Sequence, residues 1–173
     1  MKIRGRKDWP ARCSKRWENT RSCAFTTSRC TRWGVRALQS ATHCLREKYD
    51  DEMFRYARHF AAADRIVIAA PLWDLSFPAQ LKVYLENIYV TGVVTKYSEA
   101  GQPIGLCRAG ELCYVTTSGG PFDGRFGYDY WKTIAQDRFG IPEVKLLKAE
   151  NLDIEGADAK KIVDDAIKAY DLA

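Results

Sequence analysis

The sequence predicts an α/β fold built on a parallel sheet. Three observations carry that expectation: helix-like and strand-like stretches alternate from about residue 47 onward, the run RIVIAA (65–70) is continuously apolar, and proline or glycine punctuates the ends of the strand candidates. A strand with one wet face alternates polar and apolar residues. A strand covered by helices on both faces does not, so a short unbroken apolar run fits a parallel sheet between helix layers.

The elements follow in order. Asp50 or Asp51 can cap a helix in which Phe54, Ala57 and Phe60–Ala61 recur at helical spacing. RIVIAA then ends at Pro71. After a loop, Pro78 suits the first position of a helix, Leu81, Tyr84, Leu85 and Ile88 mark its buried face, and Gly92 can end it. Residues 93–110 carry turn signals at Ala100-Gly101 and Gly105 and read as a small hairpin or flap. ELCYVTT (111–117) is the next strand, closed by Ser118-Gly119-Gly120-Pro121. A helix over Tyr128–Phe139 is stopped by Gly140 and Pro142, VKLLKA (144–149) is the last strand, and a final helix over about 157–171 buries Ile162, Val163, Ala166 and Tyr170. The order is αβαβαβα, the alternation expected of a parallel sheet.

Composition divides the 173 residues in two. Residues 1–46 hold 12 Lys/Arg against Asp8 and Glu18, a charge of +10, while residues 47–173 hold 15 Lys/Arg against 20 Asp/Glu, a charge of −5. The first segment also holds four of the six cysteines (Cys13, Cys23, Cys30, Cys44) and three of the five tryptophans. Such a contrast points to two origins or two jobs, and the expected organisation is an atypical, irregular segment over 1–46 and one folded domain over 47–173. The basic start has no apolar stretch behind it and no run reaches the roughly 20 apolar residues of a membrane span, so neither a secretory signal nor a membrane helix is expected, and the cytoplasm is.

Within the first segment only SCAFTTS (22–28) and VRALQSATHCLREKY (35–49) hint at a strand and a weak helix. A basic nucleic-acid arm would set Arg and Lys on phosphates and stack Trp on bases, which gives nucleic acid as an unlikely partner. A zinc site needs paired ligands, and these cysteines have nine, six and thirteen residues between them. A third reading is a coding sequence out of frame up to about Tyr49.

In open parallel sheets, ligands bind beyond the C-terminal ends of the strands, and two loops hold that place: PLWDLSFP (71–78) and TTSGGPF (116–122). Glycine lets backbone N–H groups approach a planar ring closely, and Pro71 and Pro78 stiffen the facing loop. Against this stand plainer roles: Trp73 packed under its loop, Asp74 as a cap, and Gly119 and Gly120 as turn glycines. His59 reads as a surface histidine, and Cys107 and Cys113 as small buried hydrophobes. No Ser–His–Asp order and no metal spacing is present in the sequence.

APLWDLSFPAQLKVYLENIYVTGVVTKY, with its strand–Pro–aromatic loop and P-x-x-L-K helix, together with VTTSGGPF, resembles the FMN-dependent NADH-azoreductase and NAD(P)H:quinone oxidoreductase family. The likeness runs from about residue 50 to the end. It implies a flavodoxin-like three-layer αβα sandwich in which Leu72, Trp73, Asp74 and Leu75 contact the flavin from one side and Thr117, Ser118, Gly119 and Gly120 from the other. It further implies FMN as cofactor, NADH as electron donor, a quinone or azo compound as acceptor, a homodimer, and chemistry carried by the flavin rather than by a catalytic side chain. Two positions depart from the family. Lys96 occupies an aromatic position, so the flap is expected to pack less well. The family's first strand and Ser-rich phosphate loop have no match in residues 1–46; in the strand order 2-1-3-4-5 that strand is central, and its loss would leave the strand at 65–70 short of a partner, an aggregation hazard. A non-catalytic fragment that holds FMN poorly is therefore the alternative to an intact enzyme.

Overall fold

The structure is a computed structural model that describes residues 22–26 and 49–171. In chain order the elements are β1 (Ser22–Thr26), α1 (Arg55–Ala62), β2 (Arg65–Ala69), α2 (Ala79–Ile88), β3 (Thr95–Tyr97), β4 (Pro103–Gly105), β5 (Glu111–Thr117), α3 (Tyr128–Ile134), β6 (Glu143–Ala149) and α4 (Ala159–Asp171). The main sheet is parallel with order β1-β2-β5-β6, and β3 and β4 form a separate antiparallel hairpin. This is the expected parallel α/β architecture.

Side chains leave the sheet alternately, which is why two apolar clusters form. Ile66, Ile68, Leu112 and Tyr114 face a layer made by α1, α2 and α3, where Phe60 meets Phe139 at 5.2 Å and Tyr84 at 6.5 Å between ring centroids. Cys113, Val115 and Leu147, with Val67 and Ala69, face Ala166 and Tyr170 of α4. Helices thus lie on both faces, giving three layers. The buried positions of α2 are Leu81, Tyr84, Leu85 and Ile88, as the helical spacing requires.

The correction of most consequence concerns β2. The strand at 65–70 was expected to lack a partner, yet β1 runs parallel to it in register from Ser22 opposite Arg65 to Thr26 opposite Ala69. SCAFT lies inside the compositionally odd segment and reads weakly as a strand, but its backbone N–H and C=O groups satisfy those of β2, and backbone pairing does not depend on composition. Among the described residues no strand pairs with the outer side of β1. The rest of the basic segment, and with it the weak helix over 35–49 and any phosphate loop after β1, lies outside the described residues.

Smaller differences are local. Asp51 does cap, accepting from Met53 N–H at 2.9 Å, but it caps a 3-10 turn over Glu52–Phe54 that leads into α1. Pro78 is the N-cap of α2 rather than its first helical residue, and α2 ends at Ile88, four residues before Gly92. The helix foreseen over Tyr128–Phe139 is α-helical to Ile134 and widens to a π-helical turn over Ala135–Phe139, ending on Gly140 with φ +75°.

The flap packs more firmly than Lys96 led us to expect. Lys96 is exposed, but anchoring runs through its neighbours: Val94 and Thr95 are fully buried, Leu106 N–H donates to Val94 at 2.9 Å, and Cys107 N–H donates to Phe139 at 3.2 Å. A Cβ on Gly105 would strike the backbone of Phe139 and Gly140, so glycine there allows the hairpin to sit directly on the end of the π-helical turn.

Candidate functional site

The first loop leaves β2 still paired. Ala70 N–H donates to Val115 at 2.9 Å and Leu72 N–H to Thr117 at 2.8 Å, so the loop starts against the end of β5. The chain then reverses: Trp73 N–H donates to Ser76 at 2.7 Å and Ser76 N–H to Trp73 at 2.8 Å. Between them Asp74 (φ 49°) and Leu75 (φ 68°) both adopt left-handed backbone, the geometry of a type I′ turn. Such turns favour Asn and Gly. For residues with a Cβ each left-handed position costs about 1–2 kcal/mol, less for Asp and most for a bulky residue such as leucine. The turn lifts Trp73 and Leu75 into solvent, 46% and 57% exposed. Trp73 is therefore not packed beneath its loop.

The second loop grows from β5. Ser118 is buried; its N–H donates to Ala149 at 2.9 Å and its hydroxyl to Gly120 O at 2.8 Å, which turns the Ser118 side chain inward. All three carbonyls of Ser118–Gly120 accept from the segment after β6: from Leu152 at 3.2 Å, Asp153 at 3.0 Å and Asn151 at 3.1 Å. A Cβ on Gly119 would overlap the Asp153 carboxylate, whereas one on Gly120 would meet nothing. A side chain at the first glycine would have to push the exposed Asp153 carboxylate aside, and the second borders open space.

The two loops are fastened together. Ser76 Oγ donates to Phe126 O at 2.7 Å, and Phe126 is 55% exposed beside Trp73 and Leu75 as a third exposed large apolar side chain of the two loops. Beneath them Phe77 packs against Tyr130 (5.8 Å) and the fully buried Trp131 (6.2 Å). Lys82, from the first turn of α2, donates to Tyr130 Oη at 3.0 Å; that bond to Tyr130 leads the causes that raise its ammonium above the ordinary value. At the outer rim Arg125 grips Asp123 through Nε and Nη2 and holds its carboxyl down to about 2.

With the carbonyls of the second loop turned away and the I′ turn closed on itself, the N–H groups of Asp74, Leu75, Gly119 and Gly120 face no acceptor among the described residues. The arrangement is a pair of adjoining loops beyond the strand ends, edged by backbone donors and exposed apolar side chains. Of the residues singled out from the sequence, Leu72 and Thr117 touch directly, and Trp73, Asp74, Leu75, Ser118, Gly119 and Gly120 all lie in these two joined loops. Ser76, Phe126, Glu150 and Asp153 were not singled out. The only sequence signal for the last two was a cluster of turn-forming residues after a strand.

The comparisons agree with this layout. A family model described as flavodoxin-like fold matches residues 19–172. The FMN-dependent NADH:quinone oxidoreductase 2 of Clostridium perfringens is 37% identical over 131 residues, covering 73% of this chain and 65% of that protein. The FMN-dependent NADH:quinone oxidoreductase 2 of Clostridium acetobutylicum is 40% identical over 128 residues, 70% of this chain and 63% of that protein. The chain therefore spans just under two-thirds of the length of these curated relatives. Among solved structures, an FMN-dependent NADH-azoreductase from Bacillus anthracis in complex with FMN superposes with a TM-score of 0.64 at 22% identity, covering 80% of this chain and 71% of that one. The parallel sheet between two helix layers, the paired loops at its C-terminal edge and a model match over nearly the whole chain converge: this chain belongs to the flavodoxin-like fold family.

Proposed function

We propose that the chain holds FMN between its two loops and passes reducing equivalents from NADH to a quinone or azo compound. The observation that carries this reading is the donor set. Oxidised isoalloxazine presents mostly acceptors along its polar edge, and the N–H groups of Asp74, Leu75, Gly119 and Gly120 are donors without acceptors among the described residues. A Cβ on Gly120 would meet nothing, so that side of the loop is open to a ligand, and exposed Trp73 offers an aromatic face. The names of the relatives, FMN-dependent NADH:quinone oxidoreductases, support the same cofactor and donor.

FMN, when bound, would supply the hydride-transfer chemistry between nicotinamide and acceptor. The protein's part is to hold and to shield. Leu72 and Thr117 fix the spacing of the loops, the four N–H groups orient the polar edge, and Trp73, Leu75 and Phe126 exclude water from the faces. We propose a homodimer, in keeping with the family resemblance, and a cytoplasmic location; no helix among the described residues is long and apolar enough to cross a membrane.

The phosphate of FMN is a dianion usually held by backbone N–H groups and hydroxyls at a helix N-terminus, and the two loops described supply only ring contacts. Titration with FMN and riboflavin side by side tests the whole reading. Binding of both with similar affinity is the expected result for a ring site alone. A preference for FMN of two orders of magnitude or more would show a phosphate site outside the two loops, and binding of neither would reject the flavin reading.

A further inference from the structure

The second loop is braced from behind by the segment that follows β6, and one side chain joins the two. Phe122 N–H donates to Glu150 Oε2 at 2.8 Å, and Lys148 Nζ donates to Glu150 Oε1 at 2.8 Å. The Lys148 ammonium also lies 5.4 Å from the centroid of the Phe122 ring. Between Gly120 and Phe122 stands Pro121, which has no N–H to give, so the Phe122 amide is the first donor available after the glycines for tying the loop down. The three backbone bonds from Asn151, Leu152 and Asp153 pull the carbonyls of Ser118–Gly120 toward the same segment. Asn151 takes φ 64° to make this possible, a left-handed conformation that asparagine adopts more readily than most residues.

We propose that Glu150 is a positioning residue for the flavin loop: its carboxylate, held between Lys148 and the Phe122 amide, fixes the direction in which the Gly119 and Gly120 N–H groups point. The proposal rests on the flavin reading above. Carbonyls and N–H groups of a short loop are geometrically linked, so anchoring the carbonyl side at 118–120 and the amide at 122 leaves the glycine N–H groups one orientation, away from the brace. Lys148 and then the Phe122 amide hold the Glu150 carboxyl below its usual range, so it is ionised at neutral pH and accepts on both oxygens. Charge-assisted bonds of this kind are stronger than neutral ones, and here two act on one carboxylate. Glu150 touches neither the open space over Gly120 nor the I′ turn; it acts through Phe122.

The test uses the full chain with three variants. Glu150→Ala removes the acceptor, Glu150→Gln keeps one oxygen for the Phe122 amide, and Lys148→Met keeps the stem but removes the ammonium. FMN affinity is read by fluorescence quenching and the ring environment by the visible absorption and circular dichroism of the bound flavin. Amide exchange of Phe122, Asn151, Leu152 and Asp153, the amides that bond within the brace, is followed in the flavin-free protein. We expect Glu150→Ala to weaken FMN roughly tenfold and shift the flavin spectrum, with Glu150→Gln recovering most of both and Lys148→Met falling between. Exchange at Phe122 and at the Asn151 amide that bonds Gly120 should quicken in Glu150→Ala while that of β5 stays as in the parent. Unchanged exchange, or parent affinity and spectrum in Glu150→Ala, would overturn the proposal. If the parent binds no flavin but exchange responds as expected, the brace stands and the flavin reading falls.

Discussion

Ser76 and Phe126, fifty residues apart, are joined by a 2.7 Å hydrogen bond from the Ser76 hydroxyl to the Phe126 carbonyl, and that bond ties the two loops of the site to each other. It is an exposed neutral bond, so its net worth is about 0.5–1.5 kcal/mol. Ser76→Ala should therefore leave global stability nearly unchanged and weaken flavin binding by up to about tenfold, because the loops lose their shared spacing. Parallel thermal melts and flavin titrations check this. A large fall in melting temperature would show that the bond serves the fold rather than the site.

Leu75 sits in left-handed backbone at φ 68° with its side chain 57% exposed, so it buries little in return for the strain. Leu75→Gly should stabilise the flavin-free protein by up to about 1 kcal/mol, the relief of a left-handed leucine offset in part by the added freedom of glycine in the unfolded chain. Urea denaturation measures it. The same variant should bind flavin less tightly, since it removes an apolar wall of the slot, and a variant that gains both stability and affinity would argue against Leu75 as a contact.

The two adjacent glycines should separate cleanly. A methyl on Gly119 would overlap the carboxylate of exposed Asp153, which has to swing aside, so Gly119→Ala should cost up to about 1 kcal/mol of stability. A Cβ on Gly120 meets no protein atom, so Gly120→Val should keep the parental melting temperature while filling the space where a ring must approach. Loss of flavin affinity in Gly120→Val at unchanged stability is the expected result. Equal affinity in variant and parent would make the second loop a turn and nothing more.

Burial pushes the Cys107 thiol up to about 12 from 9.0. Because the folded value lies above the unfolded one, the neutral thiol stabilises the fold fully below pH 9 and this contribution is lost as the pH rises from 9 toward 12. At pH 8 Cys107 should resist iodoacetamide in the native protein and react once the chain is unfolded, as peptide mapping by mass spectrometry will report. Rapid native labelling at Cys107 would show that the segment joining the flap to β5 opens readily.

Much of the architecture was legible in the sequence because it rests on periodicity. RIVIAA and ELCYVTT became β2 and β5, the spacing of Leu81, Tyr84, Leu85 and Ile88 set the buried face of α2, and the turn signals at Gly101 and Gly105 enclosed the flap. The two loops that hold the eight residues singled out could be located because proline, glycine and an aromatic residue after a strand leave a local signature. The partner of β2 could not be found in this way. SCAFT has little apolar pattern of its own, and its place beside β2 is decided by backbone groups that need partners across a gap of some forty residues. The left-handed pair Asp74–Leu75, the Ser76–Phe126 bond and the hold of Glu150 on Phe122 were hidden for the same reason. Each is a pairing of groups whose chemistry is ordinary in isolation. Only the parallel sheet, by bringing the C-terminal ends of β2, β5 and β6 side by side, places them within hydrogen-bonding reach.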